Sequence, residues 1–243
     1  MLPVGSAAMS ARRGSGPSVL VGGGEFGGAC RELDAELLAA SGAEEVLVLP
    51  TAAAFERPEH VAAAATAWYE ALGAKVRVLD VLRRTDAEDA ALAEAVRKAK
   101  FVHVADGSPL HLRSVLKDSA VFEAMLAAWA GGAVLVASGA GATLLCDPMV
   151  DPRGGAYTVG LGVVRDLAVF PYHGSAAAHL RERSIELLPA SATLAGVDED
   201  TALVLEGDAW RVAGAGSVTV YAGGTGGTTT VFSAGDTVPG LPT

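Results

Sequence analysis

Short apolar runs return at intervals of about 25–30 residues along the first half of the chain, and this rhythm limits the folds open to it. The runs are SVLVGG (18–23), EVLVLP (45–50), KVRVLDV (75–81), KFVHVA (100–105) and AVLVAS (133–138). Between them, segments 28–41 and 59–72 are rich in Ala, Leu and Glu, and 86–99 reads DAEDAALAEAVRKA. Segment 119–130 carries Val121, Phe122, Met125, Leu126 and Trp129 at helical spacing. A strand, a covering helix and a further strand, repeated, give a mostly parallel sheet with helices on both faces, a three-layer α/β/α sandwich. Ligands in such sheets bind beyond the carboxyl ends of the strands. The loops of interest are therefore 22–25, 50–58, 106–109 and 138–142.

The rhythm breaks after residue 145. CDPMVDPRGGAYTVGLGVV is turn-rich, DLAVFPYH reads as one more strand, and 177–188 as a helix. From Thr201 onward short strands alternate with glycine turns, the pattern of antiparallel hairpins. One domain over 17–243 is expected, with a single sheet carrying a C-terminal antiparallel β extension. The first 16 residues have an Arg pair but no apolar segment of signal-peptide type after it. They read as a flexible tail.

Of the 243 residues 51% are hydrophobic and 19% charged, which suits a chain with a well-covered sheet. A net charge of −10 opposes non-specific binding to nucleic acid or anionic membranes, which calls for clustered Lys and Arg. No apolar run is long enough to span a bilayer. Cys30 and Cys146 follow no metal or redox spacing and read as reduced thiols of a cytoplasmic protein. The five histidines show no metal-ligand spacing either, so neither a metal nor another cofactor is expected. GGGE (22–25) lacks the spacing of a dinucleotide fingerprint and reads as a close backbone approach at a strand–helix turn.

The stretch LVASGAGATLL (135–145) carries the sharpest signal. An apolar strand stops at small residues and a helix-compatible run follows, the pattern of a strained strand–helix turn that presents a nucleophile in many hydrolases. The position two before Gly141, where that nucleophile is expected, is Gly139. Ser138 lies one residue earlier, which on a strand turns its side chain to the opposite face. Ser138 is the alternative nucleophile if the turn breaks that alternation, and a hydroxyl capping the next helix is the plainer reading of it.

In order, VLVGGGE, VLPTAAA, ADGSPLHLRSVL, ASGAGATLL, FPYH and VDEDTALVLEGDAWRVAGAGSVTV resemble the cyanophycinase and peptidase E family of serine peptidases, over about Val19 to Val220. The resemblance implies a class I glutamine amidotransferase-like fold and activity on aspartyl-containing peptides. In that family the turn reads Gly-Thr-Ser-Ala-Gly-Ala, which places the serine on Gly139 and the threonine on Ser138. A family segment Gly-Gly-Asp/Asn-Gln is matched by Asp106-Gly107-Ser108-Pro109, where the glutamine has become proline. The resemblance further implies His173 as base and Glu199 as the acid that orients it, with Asp151 as the alternative acid in peptidase E members. The backbone N–H groups of Gly107 and Ala140 would hold the oxyanion.

A glycine cannot be acylated, so the resemblance implies a hydrolase whose covalent step is missing as the chain stands. The alternative is a non-catalytic relative that keeps the cleft for a ligand or partner, the ligand being a small peptide or an amino-acid derivative. A glutaminase would need a cysteine at the turn, and Cys146 lies seven residues too late. Whether two copies pair as a homodimer stays open.

Overall fold

The structure, a computed structural model, describes residues 16–224 and 226–243. The expected N-terminal tail lies outside the described residues except for Gly16. That residue is tied down: its N–H donates to the Trp129 carbonyl at 2.8 Å and its carbonyl accepts from Trp129 Nε1 at 2.7 Å.

All five anticipated strands form: β1 (Ser18–Val21), β2 (Glu45–Leu49), β3 (Lys75–Val78), β4 (Phe101–Val104) and β5 (Val134–Ser138). The segments between them hold α1 (Arg31–Ser41), α2 (Pro58–Glu70), α3 (Arg84–Ala87), α4 (Ala90–Arg97), α5 (Pro109–Leu116) and α6 (Ala120–Ala130), and α7 (Ala140–Leu145) follows β5. The single helix expected over 86–99 is divided because the Asp89 carboxylate caps α4, accepting from the Ala91 and Leu92 N–H groups at 2.8 and 3.0 Å. Helix α5, absent from the periodicity reading, starts at Ser108 as N-cap with Pro109 in its first turn.

Beyond α7 come β6 (Cys146–Asp147), β7 (Met149–Val150), β8 (Tyr157–Thr158), β9 (Val164–Arg165), β10 (Leu167–Phe170), α8 (Ala178–Glu186) and β11 (Thr193–Val197). The chain closes with β12 (Thr201–Glu206), β13 (Ala209–Gly214), β14 (Ser217–Ala222), β15 (Thr228–Ser233) and β16 (Thr237–Val238). The main sheet has eight strands in the order β16-β13-β12-β1-β5-β4-β2-β3. Strands β1 to β5 run parallel and β12 joins β1 antiparallel.

One sheet was expected to take all the strands, and here the structure differs. Strands β15-β14-β11-β10-β6-β9 form a second, six-stranded sheet, and β7 pairs with β8 alone. The reason lies in β10 and β11, which are buried on both faces. Leu167 and Val169 pack into the main core, whereas Ala168 and Phe170 pack against Leu180 and Ile185 of α8. A doubly buried apolar run marks a central strand but does not say of which sheet. The hairpin β12–β13 extends the main sheet, and β14 crosses to β11 in the second.

The alternation of side chains builds the layers. Val19, Val21, Val46, Val48, Val134 and Val136 meet Leu33, Leu37, Ala65 and Tyr69 of α1 and α2. The opposite face presents Leu20, Leu47, Val102 and Leu135 to α4, α5 and α6. No helix among the described residues is long and apolar enough to cross a membrane.

Candidate functional site

The carboxyl ends of β1, β4 and β5 meet at one point, as the parallel topology requires. The Gly139 N–H donates to the Val21 carbonyl at 2.9 Å, fixing the end of β5 against β1. Gly139 then takes φ +45° and ψ −101° before α7 begins. This combination is costly for a residue with a Cβ, and it gives the sharp strand–helix turn anticipated from the sequence.

What fills the turn comes from the neighbouring loop. Asp106, just past β4, puts its carboxylate in the space that a Cβ on Gly139 would occupy. Its Oδ1 accepts two backbone N–H groups, those of Gly107 and Ala140, each at 2.6 Å. These are the two donors assigned from the resemblance to an oxyanion, and they converge on one oxygen of the protein's own side chain. Asp106 Oδ2 accepts a short hydrogen bond from the Tyr172 hydroxyl. Gly107 is glycine because at φ +143° its Cβ would strike the backbone of Ala52 and Ala53.

Tyr172 is held with equal care. It adopts φ +60°-class backbone, at +56°, unusual for a residue with a side chain. Its N–H donates to the Gly22 carbonyl at 2.7 Å, and its ring covers Gly23, where any Cβ would collide with it. Burial pushes the Tyr172 phenol well above its usual range, aided by the hydrogen bond to Asp106 and by the charges of Asp106, Glu25 and Glu199. The phenol therefore stays protonated and donates.

A buried chain of polar groups stands behind this pair. The Asp106 N–H donates to Glu25 Oε1 at 3.0 Å. Glu25 Oε2 lies 3.0 Å from His103 Nε2, and His103 Nδ1 lies 2.7 Å from the Tyr69 hydroxyl. Burial drives the Tyr69 phenol far up as well, so Tyr69 donates to Nδ1 and Nε2–H faces the carboxylate. The close approach read from GGGE is present at Gly22, whose Cβ would meet the carbonyls of Val197 and Asp198. The acid at its end, Glu25, was not singled out.

His173 follows β10 but faces elsewhere. Its ring lies on Gly196 of β11, with Nε2 2.9 Å from the Tyr221 hydroxyl and Nδ1 3.5 Å from Asp198. Burial holds this imidazole below its ordinary pKa, and the nearby Arg181 acts in the same direction against Asp198. The acid brought to His173 is thus Asp198 rather than Glu199. The chain turns at Glu199 and Asp200 just after β11, and Asp198, next to the strand end, is fixed by Ser217, whose N–H and hydroxyl both donate to it. Glu199 is exposed. Asp151 is engaged by Arg153, with Oδ2 2.6 Å from Nη2, and that partner lowers its pKa. It is not joined to His173.

Ser138 is fully buried, and its hydroxyl has no hydrogen-bond partner among the described residues. It caps nothing: the N-cap of α7 is Gly139. Cys146 is buried and its thiol is pushed far up by burial, while that of Cys30 rises to about 12. Among the described residues no group of three or more His, Cys, Asp or Glu is placed to hold a metal ion. The site opens into a cavity of about 210 Å³ whose wall includes Asp106, Tyr172, Ala140 and Phe170. His173 is not part of that wall.

Comparison with known proteins agrees with this fold. The chain is 28% identical over 219 residues to the cyanophycinases of Trichormus variabilis and of a Nostoc species, covering 83% of this chain and 72% of each of theirs. A crystal structure of a peptidase from an acI-B1 actinobacterium superposes with a TM-score of 0.84 at 27% identity, over 93% of this chain and 98% of that one. A putative peptidase E protein from Listeria monocytogenes EGD-e shares the fold, with a TM-score of 0.66 at 17% identity over 82% and 98% of the two chains. The sequence pattern of peptidase family S51 matches residues 18–213, from the start of β1 almost to the end of β13. With that match covering most of the chain and the turn after β5 in place, the chain belongs to peptidase family S51.

Proposed function

We propose that this chain is a member of the family that carries out no serine-peptidase chemistry as it stands, and that it uses the cleft at the β5–α7 turn to bind a small peptide- or amino-acid-derived ligand. One observation carries the reading: the Asp106 carboxylate fills the space beside Gly139 and occupies both N–H groups that an acyl-transfer oxyanion would need. Acyl transfer requires a hydroxyl or thiol nucleophile, a base within reach of it and free oxyanion donors. Gly139 supplies no hydroxyl, that of Ser138 is sealed in the core, and both thiols are buried. The His173 ring is engaged on both nitrogens by Tyr221 and Asp198.

The matched family segment has glycine where Asp106 stands and serine where Gly139 stands. The carboxylate and the missing hydroxyl therefore read as one reciprocal change. The test is labelling with a fluorophosphonate, together with hydrolysis of aspartyl dipeptides. It compares the unaltered chain, Gly139→Ser, and Gly139→Ser combined with Asp106→Gly. The unaltered chain should remain unlabelled. Gly139→Ser should fail too, because the new side chain meets the carboxylate, and only the combined variant has room for a hydroxyl and an empty oxyanion site. Labelling of the unaltered chain would overturn the reading.

A further inference from the structure

The cavity at the turn has a composition that selects a ligand class. Its wall is mostly apolar, with Phe170, Leu180, Val150 and Pro152 on it, and its ionisable side chains are Asp106 and Tyr172. No Lys, Arg or His is among the lining residues. An acidic side chain entering here would find no cation to pair with, and it would face the carboxylate of Asp106. Burying an unpaired charge against a like charge is strongly unfavourable. The aspartyl ligand implied by the family resemblance thus fits this wall poorly.

A cation fits it well. A carboxylate offers about four lone-pair positions, and Asp106 uses three of them, for Gly107 N–H, Ala140 N–H and the Tyr172 hydroxyl. The fourth is on Oδ2, the oxygen that takes only the Tyr172 bond. Glu25 and Glu199 add their charges at the Tyr172 hydroxyl, so the polar end of the cavity is negative. An apolar cavity of about 150 Å³ accommodates a benzene ring. A volume of about 210 Å³ leaves room for a ring-sized group and a short arm.

From this juxtaposition we infer that the cavity binds a small apolar molecule bearing one ammonium group, the apolar part lying along Phe170 and Leu180 and the ammonium meeting Asp106 Oδ2. The inference rests on the ligand-binding reading above and names its ligand class. A free amine and the amino terminus of a peptide with an apolar first side chain share this chemistry.

Calorimetric titration of the whole chain with three probes of similar shape tests it: phenethylamine, 2-phenylethanol and 3-phenylpropionate. Phenethylamine should bind at least tenfold more tightly than 3-phenylpropionate. Asp106→Asn should weaken the amine about tenfold while leaving the alcohol unchanged, and Ala176→Phe, which fills the cavity from its wall, should weaken all three. Circular dichroism and a thermal melt establish that each variant is folded. Equal or tighter binding of the carboxylate, amine binding indifferent to Asp106→Asn, or no binding of any probe to the folded chain would overturn the inference. A leucine amide and phenethylamine, compared under the same conditions, tell a peptide amino terminus from a free amine. Fluorophosphonate labelling of the unaltered chain bears on the silent-peptidase reading alone, so the two can fail separately.

Discussion

Asp106 and Gly139 share one space: the carboxylate of the first lies where a side chain on the second would begin. The two positions are 33 residues apart in sequence and are joined by the parallel pairing of β4 with β5. A contact of this kind makes their substitutions interdependent. Gly139→Ser alone should destabilise the chain by about 2–4 kcal/mol, from the collision and from forcing a Cβ into a backbone with φ +45°. Adding Asp106→Gly should recover at least about 1 kcal/mol of that loss, although Asp106→Gly by itself is destabilising. Urea unfolding of the four proteins measures the coupling. Strictly additive losses would mean that the carboxylate can swing aside freely.

The line of groups from Tyr69 through His103 and Glu25 to the Asp106 N–H depends on each member having its partner. Tyr69 is fully buried and His103 nearly so. Tyr69→Phe keeps the ring packing against Phe26 and Phe101 but removes the donor to His103 Nδ1. Leaving a buried acceptor unpaired costs about 1–3 kcal/mol. Chemical denaturation should show a loss in that range with the denaturant slope unchanged. A change below about 0.5 kcal/mol would mean that His103 finds another donor.

The layered fold was legible in the sequence because strand and helix periodicities differ and the five runs kept the period of parallel strands. The second sheet was not, since β10 and β11 are apolar on both faces and periodicity does not assign a doubly buried strand to a sheet. The turn at Gly139 was readable from its small residues, whereas Gly107 and Ala140 entered through the family resemblance as oxyanion donors, and both N–H groups donate to Asp106 in the structure. In ADGSP the sequence marks only the proline as a departure, and only the packing of two loops reveals that Asp106 fills the gap left at Gly139. Asp198 and Glu199 differ by one position in an acidic run, and only the course of the chain after β11 decides which of them reaches His173.

Ser138 offers a test of opposite sign. Its hydroxyl is fully buried without a partner among the described residues, beside Val21 in the parallel pairing of β1 and β5. Removing an unpaired buried polar atom relieves its desolvation penalty, while the smaller side chain gives up little packing. Ser138→Ala should therefore leave stability unchanged or raise it by about 1 kcal/mol, as read from the urea midpoint. A loss above about 1 kcal/mol would show that the hydroxyl has a partner, a buried water being the simplest.

His173 ties stability to pH with a definite sign. Its ring faces Tyr221 and Asp198, and Arg181 donates to its carbonyl at 2.9 Å. Burial, helped by Arg181, outweighs Asp198 and holds the folded pKa below the ordinary value of about 6.5. The neutral ring accepts from the Tyr221 hydroxyl at Nε2 and directs Nδ1–H toward Asp198. Because the unfolded chain takes up the proton first, stability contributed by this residue is fully present above about pH 6.5. It is lost as pH falls from there toward the folded value, at up to about 1.4 kcal/mol per pH unit. Denaturation of the unaltered chain and of His173→Gln between pH 7.5 and 5, conditions set by that window, should give a falling curve for the first and a flatter one for the second. Parallel curves would show that other groups carry the acid sensitivity and that the ring is protonated in the folded chain as readily as in the unfolded one.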